Sequence, residues 1–159
     1  MATLATLAVM EWGRMVREPS KEINDLTNVV IGAAIEVHRI LGPGYLESLY
    51  EEALTVELGL REIPFERQKP IGVEYKESLI GKSRLDFLID SKLIVELKAV
   101  DTLAPIHTAQ VISYLKTMNL PLGLLINFNV SLIKMGIKRV ILSDPIAARC
   151  DNLGVDEKR

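Results

Sequence analysis

The chain is short of the residue types on which several common functions depend. Cys150 is its one cysteine and sits in a polar C-terminal stretch. That excludes a disulfide within the chain and a cysteine-based zinc site, and it points to a reducing, cytoplasmic setting. Its two histidines, His38 and His107, do not have the i+3 or i+4 spacing of a zinc-binding helix and give no credible Ser/His/Asp triad. No stretch approaches the roughly 20 apolar residues of a membrane helix, so a soluble protein without membrane association is expected. There is no G-x-x-x-x-G-K-[ST] loop and no G-x-G-x-x-G after a strand, which leaves nucleotide-cofactor chemistry unsupported. Neither sign of charge dominates: 19 Lys and Arg stand against 21 Asp and Glu, for a net charge of −2. Any contact with nucleic acid must therefore be a local patch.

What is present is the make-up of a folded domain. With 159 residues, 48% of them hydrophobic, the chain is long enough to bury a core without a disulfide or structural metal. The opening MATLATLAVM is apolar, but Arg14 and Arg17 follow it instead of preceding it, the wrong order for a secretory signal. Residues 1–18 read as a poorly ordered extension, 19–144 as a single domain and 145–159 as a polar tail. Ser20 caps a first helix with Ile23, Leu26, Val30, Ala33, Val37 and Ile40 at helical spacing, stopped by Gly42 and Pro43. A second helix, YLESLYEEALTVELGL, sets Leu46, Leu49, Tyr50, Ala53 and Leu54 on one arc. The period then changes to two: IGVEYKE is a short strand, Gly81 is turn-like, and RLDFLIDSKLIVELKAV is a hairpin. Pro105 opens a third helix, LGLLINF is a strand buried on both faces, and GIKRVILS is a last strand. Hairpin strands first and a helical crossover later imply a mixed sheet flanked by helices, an α/β fold.

The hairpin carries charges that an apolar sheet normally avoids. Side chains alternate along a strand, so Glu96 and Lys98 share a face. If the loop is Asp90-Ser91-Lys92, Asp86 lies opposite Glu96 and Arg84 opposite Lys98. Two carboxylates facing each other repel, and burial raises the cost. A divalent cation offsets this: both carboxylates and the Leu97 backbone carbonyl make a partial oxygen cage suited to Mg²⁺ or Mn²⁺. Lys98 then orients or helps deprotonate a water that attacks phosphorus. The spacing equally fits an ordinary hairpin with a polar exposed face, and a two-residue loop would break the Asp86–Glu96 pairing.

On the third helix His107, Gln110 and Tyr114 form a polar stripe beside the apolar arc of Val111, Ile112, Leu115 and Met118. Gln110 and Tyr114 have the donors to hold phosphate oxygens or a water, and His107 is a hydrogen-bonding residue more than a metal ligand. An ordinary boundary helix would look the same. Glu47, at the edge of the second helix's apolar arc, either reaches the cation or serves the helix dipole.

These residues resemble the GxxExxY family of small bacterial proteins, placed in the PD-(D/E)XK nuclease-like superfamily. The name motif stands as Gly44-Tyr45-Leu46-Glu47-Ser48-Leu49-Tyr50. Around it LGPGYLESLYEEAL, ERQKPIGVEY, RLDFLIDSKLIVELKAV, IHTAQVISYLK and LGLLINF look like the family's blocks, in order, over roughly residues 22–142. The resemblance implies a restriction-endonuclease-like αβββαβ core, here with an extra N-terminal helix and a C-terminal strand. It implies that Asp86 and Glu96 are the acidic metal ligands and Lys98 the lysine of the site. Gln110 and Tyr114 are similar to a Gln-x-x-x-Tyr motif of some nuclease branches, and Glu47 to a helix carboxylate of many members. Leu85 stands where the superfamily name has proline.

The expectation is a Mg²⁺-dependent nuclease that acts on DNA in preference to RNA. The competing expectation is a non-catalytic module that binds nucleic acid or a protein partner on the same fold. A minimal, slightly acidic core has few means of gripping a long duplex, which a second copy of the chain or a protein partner would supply.

Overall fold

The computed structural model describes residues 18–142. The expected extension, apart from Glu18, the tail with Cys150 and the end of the last strand lie outside them.

Helix α1 (Lys21–Leu41) starts where Ser20 Oγ accepts the Ile23 amide and buries Val30, Ala33, Ala34 and Val37. Ile40 is solvent-facing. Helix α2 (Glu47–Leu60) begins two residues later than the apolar spacing suggests. Leu46 stands at its cap, largely exposed, and Tyr50, Leu54 and Leu58 form the buried stripe.

Strand β1 (Phe65–Tyr75) is longer than expected and includes Pro70. It is an edge strand, where a proline without an N–H is tolerated. The turn into β2 (Ser78–Ile89) is not at Gly81, which pairs with Val73 inside the ladder. It is at Lys76-Glu77, both at positive φ (47° and 65°), the geometry of a two-residue hairpin turn whose twist matches the strands. Strand β3 (Leu93–Lys98) returns antiparallel with Ile89 opposite Leu93. The loop is therefore the three residues Asp90-Ser91-Lys92.

Helix α3 (Pro105–Met118) starts with its proline and ends at Asn119, which is left-handed. It carries the chain to β4 (Leu122–Asn127), parallel to β3, and a short helical turn α4 (Ile133–Gly136), absent from the expectation, leads to β5 (Ile137–Ile141). The five-stranded sheet runs β1-β2-β3-β4-β5, the expected mixed sheet with an αβββαβ order after α1.

Two cores cover its faces. One joins α1 and α2 to Phe87, Ile89, Val95, Leu97, Leu124 and Ile126. The other joins α3 to Ile71, Leu85, Leu88, Ile94 and Leu125. Gly123 lets α3 come close to the sheet, since a Cβ there would meet Val111 at 2.7 Å. Leu85 and Phe87, two residues apart on one strand, lie in different cores. The alternation of β2 inverts at Asp86.

Candidate active site

Asp86 sits where the central strands separate. The β2–β3 pairs run inward from the turn to Phe87–Val95, in the register that sets Asp86 across from Glu96. Beyond that pair the Leu97 amide is taken by Asp86 Oδ2 at 2.8 Å. Glu96 is 3% exposed, and its Oε1 accepts from Lys98 Nζ at 2.9 Å. Its Oε2 is buried without a hydrogen-bond partner. Arg84 turns toward Gln68 Oε1, 3.5 Å away.

Burial raises the Asp86 carboxyl above the ordinary range, against the pull of the Leu97 amide and Lys98. Burial, together with the Asp86 charge, pushes Glu96 up to about 7. Glu47 is raised too, by burial first, with Lys98 opposing and Asp86 and Glu51 adding to the rise. Burial works against the Lys98 ammonium, yet Glu96, Glu47 and Asp86 outweigh it and its pKa is raised. All four shifts favour bound protons: burial disfavours the charged acids, and the acids around Lys98 favour its ammonium.

The helix motif supports this cluster mechanically. Gly44 takes φ +105°, open only to glycine at low cost. The Tyr50 hydroxyl donates to Gly42 O at 2.5 Å and accepts from the Tyr45 amide at 3.2 Å. Its ring stacks on Phe128 at 4.6 Å. Tyr50 thus anchors the α1–α2 loop that leads into α2 at Glu47.

Three neighbours escaped sequence reasoning. Glu51, one turn after Glu47, accepts from Arg67 Nε at 2.6 Å and from Gln68 Nε2 at 2.8 Å. Gln68 Nε2 also points at Asp86 Oδ1, 3.4 Å away. Gln68 has φ +51° within a strand, a conformation that costs a non-glycine residue roughly 1–2 kcal/mol. Asn127, 2% exposed, accepts from the Val100 amide and donates to the Val100 carbonyl, tying the end of β3 to β4. The i+4 spacing of Glu47 and Glu51 was a readable signal for Glu51; Gln68 and Asn127 left none.

The α3 stripe divides. Gln110 Nε2 donates to the Tyr114 hydroxyl at 2.8 Å, and Ser83 Oγ donates to it at 3.3 Å. Neither Gln110 nor Tyr114 bonds to Asp86, Glu96 or Lys98. His107 Nδ1 accepts from the Ala104 amide at 3.0 Å and so closes the first turn of α3, away from the acids' hydrogen bonds. Glu57 pairs with Arg61 at 2.7 Å.

Among the described residues no three His, Cys, Asp or Glu side chains gather into a ready-made metal cage. A cation here would be held by two carboxylates completed by neutral oxygens. Glu96 Oε2 without a partner and a buried excess of acid fit such a hard cation.

A mixed sheet whose central hairpin parts around an acid–acid–lysine cluster defines a restriction-endonuclease-like protein. Residues 24–140 match the family model of the PD-(D/E)XK nuclease superfamily, and the chain belongs to that superfamily. A search of curated proteins returns no match. No described helix is long and apolar enough to cross a membrane.

Proposed function

We propose that the chain is a divalent-cation-dependent nuclease that hydrolyses phosphodiester bonds, with DNA the preferred substrate. The buried Glu96 carboxylate, facing Asp86 with one oxygen unpartnered, carries the reading. A buried carboxylate oxygen without a partner is expensive unless it serves a ligand.

Asp86 and Glu96, with the Leu97 carbonyl, would hold Mg²⁺ or Mn²⁺, and Glu47 lies within the same field. When bound, the cation neutralises phosphate charge and makes water a better nucleophile. Lys98, kept protonated by the acids around it, orients the attacking water and donates to the phosphate. Gln110 fixes the Tyr114 hydroxyl, whose own proton is then directed to a phosphate oxygen. His107 contributes by holding the first turn of α3.

The test incubates purified protein with single-stranded, duplex and branched DNA and with RNA, in Mg²⁺, Mn²⁺ or EDTA, beside Asp86→Ala and Lys98→Ala. Cleavage with Mg²⁺ that both substitutions abolish supports the proposal. Binding of nucleic acid without cleavage under any condition favours the non-catalytic module. A cation titration unchanged in Asp86→Ala and Glu96→Ala removes the shared-cation site.

A further inference from the structure

Gln68 is the one residue at which the β1–β2 ladder skips a rung without changing register. Arg67 pairs with Phe87 and Lys69 with Leu85, while Gln68, which would face Asp86, is unpaired at the backbone. It is also strained: its φ of +51° belongs to the left-handed region and no turn surrounds it. Strain of this kind persists only where neighbours over-determine it, and it collects at functional positions.

What the strain achieves is visible in the contacts. Side chains of the ribbon turn over at this point, with Leu85 packed under α3 and Phe87 under α1 and α2. The inversion leaves Asp86 between the two faces, in the notch between β2 and β3. Gln68 spends its two amide hydrogens on two acids, Glu51 at 2.8 Å and Asp86 at 3.4 Å. Glu51 is fixed in turn by Arg67 at 2.6 Å. The other Asp86 oxygen is held by the Leu97 amide. Asp86 is therefore gripped from β1 and from β3, and a neutral amide separates it from Glu51, the nearby like charge.

We propose that Gln68, braced by Glu51 and Arg67, is a positioning residue that uses a strained backbone to aim the Asp86 carboxylate into the notch. The inference rests on the cation-site reading above. It differs from that reading in assigning a role to a residue that touches neither cation nor substrate. The left-handed backbone is retained because relaxing it would turn the Gln68 amide away from Asp86 Oδ1 and Glu51 and free the Asp86 carboxylate on its β1 side.

The decisive variant is Gln68→Gly, which suits the positive φ and lacks the amide. Glu77→Gly, a second positive-φ position in the exposed β1–β2 turn, is the control for strain relief away from Asp86. Three quantities are measured on each: melting temperature, hydrogen exchange at the Leu97 amide, and Mn²⁺ affinity. Gln68→Gly is expected to melt no lower than the parent. Its Leu97 amide should exchange about tenfold faster as the Asp86 bond loosens, and Mn²⁺ affinity should fall about 10–100-fold. Glu77→Gly should change neither of the last two. Unchanged Leu97 exchange and Mn²⁺ affinity in Gln68→Gly would overturn the proposal. So would a lower melting point with exchange raised uniformly across the sheet, which is the mark of a merely structural residue. If the parent itself binds no Mn²⁺ but Leu97 still responds to Gln68→Gly, the cation reading fails while the positioning role stands.

Discussion

Two polar clusters flank the β1–β2–β3 hairpins, and they are finished differently. In the first, Ser83 and Gln110 both donate to the Tyr114 hydroxyl, within 3.3 Å. In the second, Glu47, Asp86 and Glu96 share a single lysine, and Glu96 keeps a buried oxygen with no partner. A cluster that closes on itself is stable as it stands and holds its groups in place. A cluster with surplus acid is stable only with something added, and local rules of burial are broken where function requires it. Under the proposed function, the acids are the reactive half of the site and the tyrosine cluster has the task of orientation.

The contrast breaks most sharply at Glu96. Glu96→Gln keeps the shape and removes the charge, so it should reduce cleavage by about 10³-fold or more, in the range of losing a principal electrostatic element of an active site. Measured in EDTA at pH 8, the same variant should be more stable than the parent by about 1–3 kcal/mol, because the parent must ionise a buried acid there. Chemical denaturation and single-turnover cleavage on one preparation check both halves; a variant that loses stability and activity together would contradict the comparison.

A pH series sharpens it next. Folding raises the Glu96 pKa from 4.5 to about 7, so the folded state holds more protons than the unfolded state between those values. The stability this group contributes is fully present below about 4.5 and is lost as pH rises through about 7. The difference in unfolding free energy between Glu96→Gln and the parent should therefore grow across that window in EDTA. Mg²⁺ affinity, which needs the ionised acids, should rise with pH over the same range. Calorimetric titration at pH 6, 7 and 8 reads the second trend.

The satisfied cluster should respond in the opposite proportion. Tyr114→Phe leaves Gln110 and Ser83 without their shared hydroxyl and should cost about 1–2 kcal/mol of stability. Cleavage should fall about tenfold or less, visible in the rate at saturating substrate. The smallest effect is expected at His107→Ala, which opens the first turn of α3 at a cost of about 0.5–1 kcal/mol, read as a drop in denaturation midpoint.

The pattern of the chain announced most of this architecture. Ser20 and Gly42 bounded α1, Pro105 opened α3, and the apolar run after Pro121 marked β4. These signals are local, set by capping, proline geometry and hydrophobic period, and they need no partner to be read. The errors fell where a distant element decides. The strand read as IGVEYKE starts at Phe65 and runs through Pro70, which an edge position permits, and Gly81 suggested a turn that Lys76 and Glu77 make instead. Helix α2 appeared to bury Leu46 and Leu49 until packing selected Tyr50, Leu54 and Leu58.

For the proposed site, the sequence supplied the candidate donors. Asp86, Glu96 and Lys98 follow from residue type and the two-residue period of strands, and the facing of the two acids follows once the turn is three residues long. Only the tertiary structure decided how those donors are held. It inverted β2 at Asp86, placed the left-handed Gln68 beside it and brought in Glu51 and Arg67 from elsewhere in the chain. The reason is physical: periodicity specifies which side of a strand a residue faces as long as the strand is regular. Asp86 stands where regularity ends.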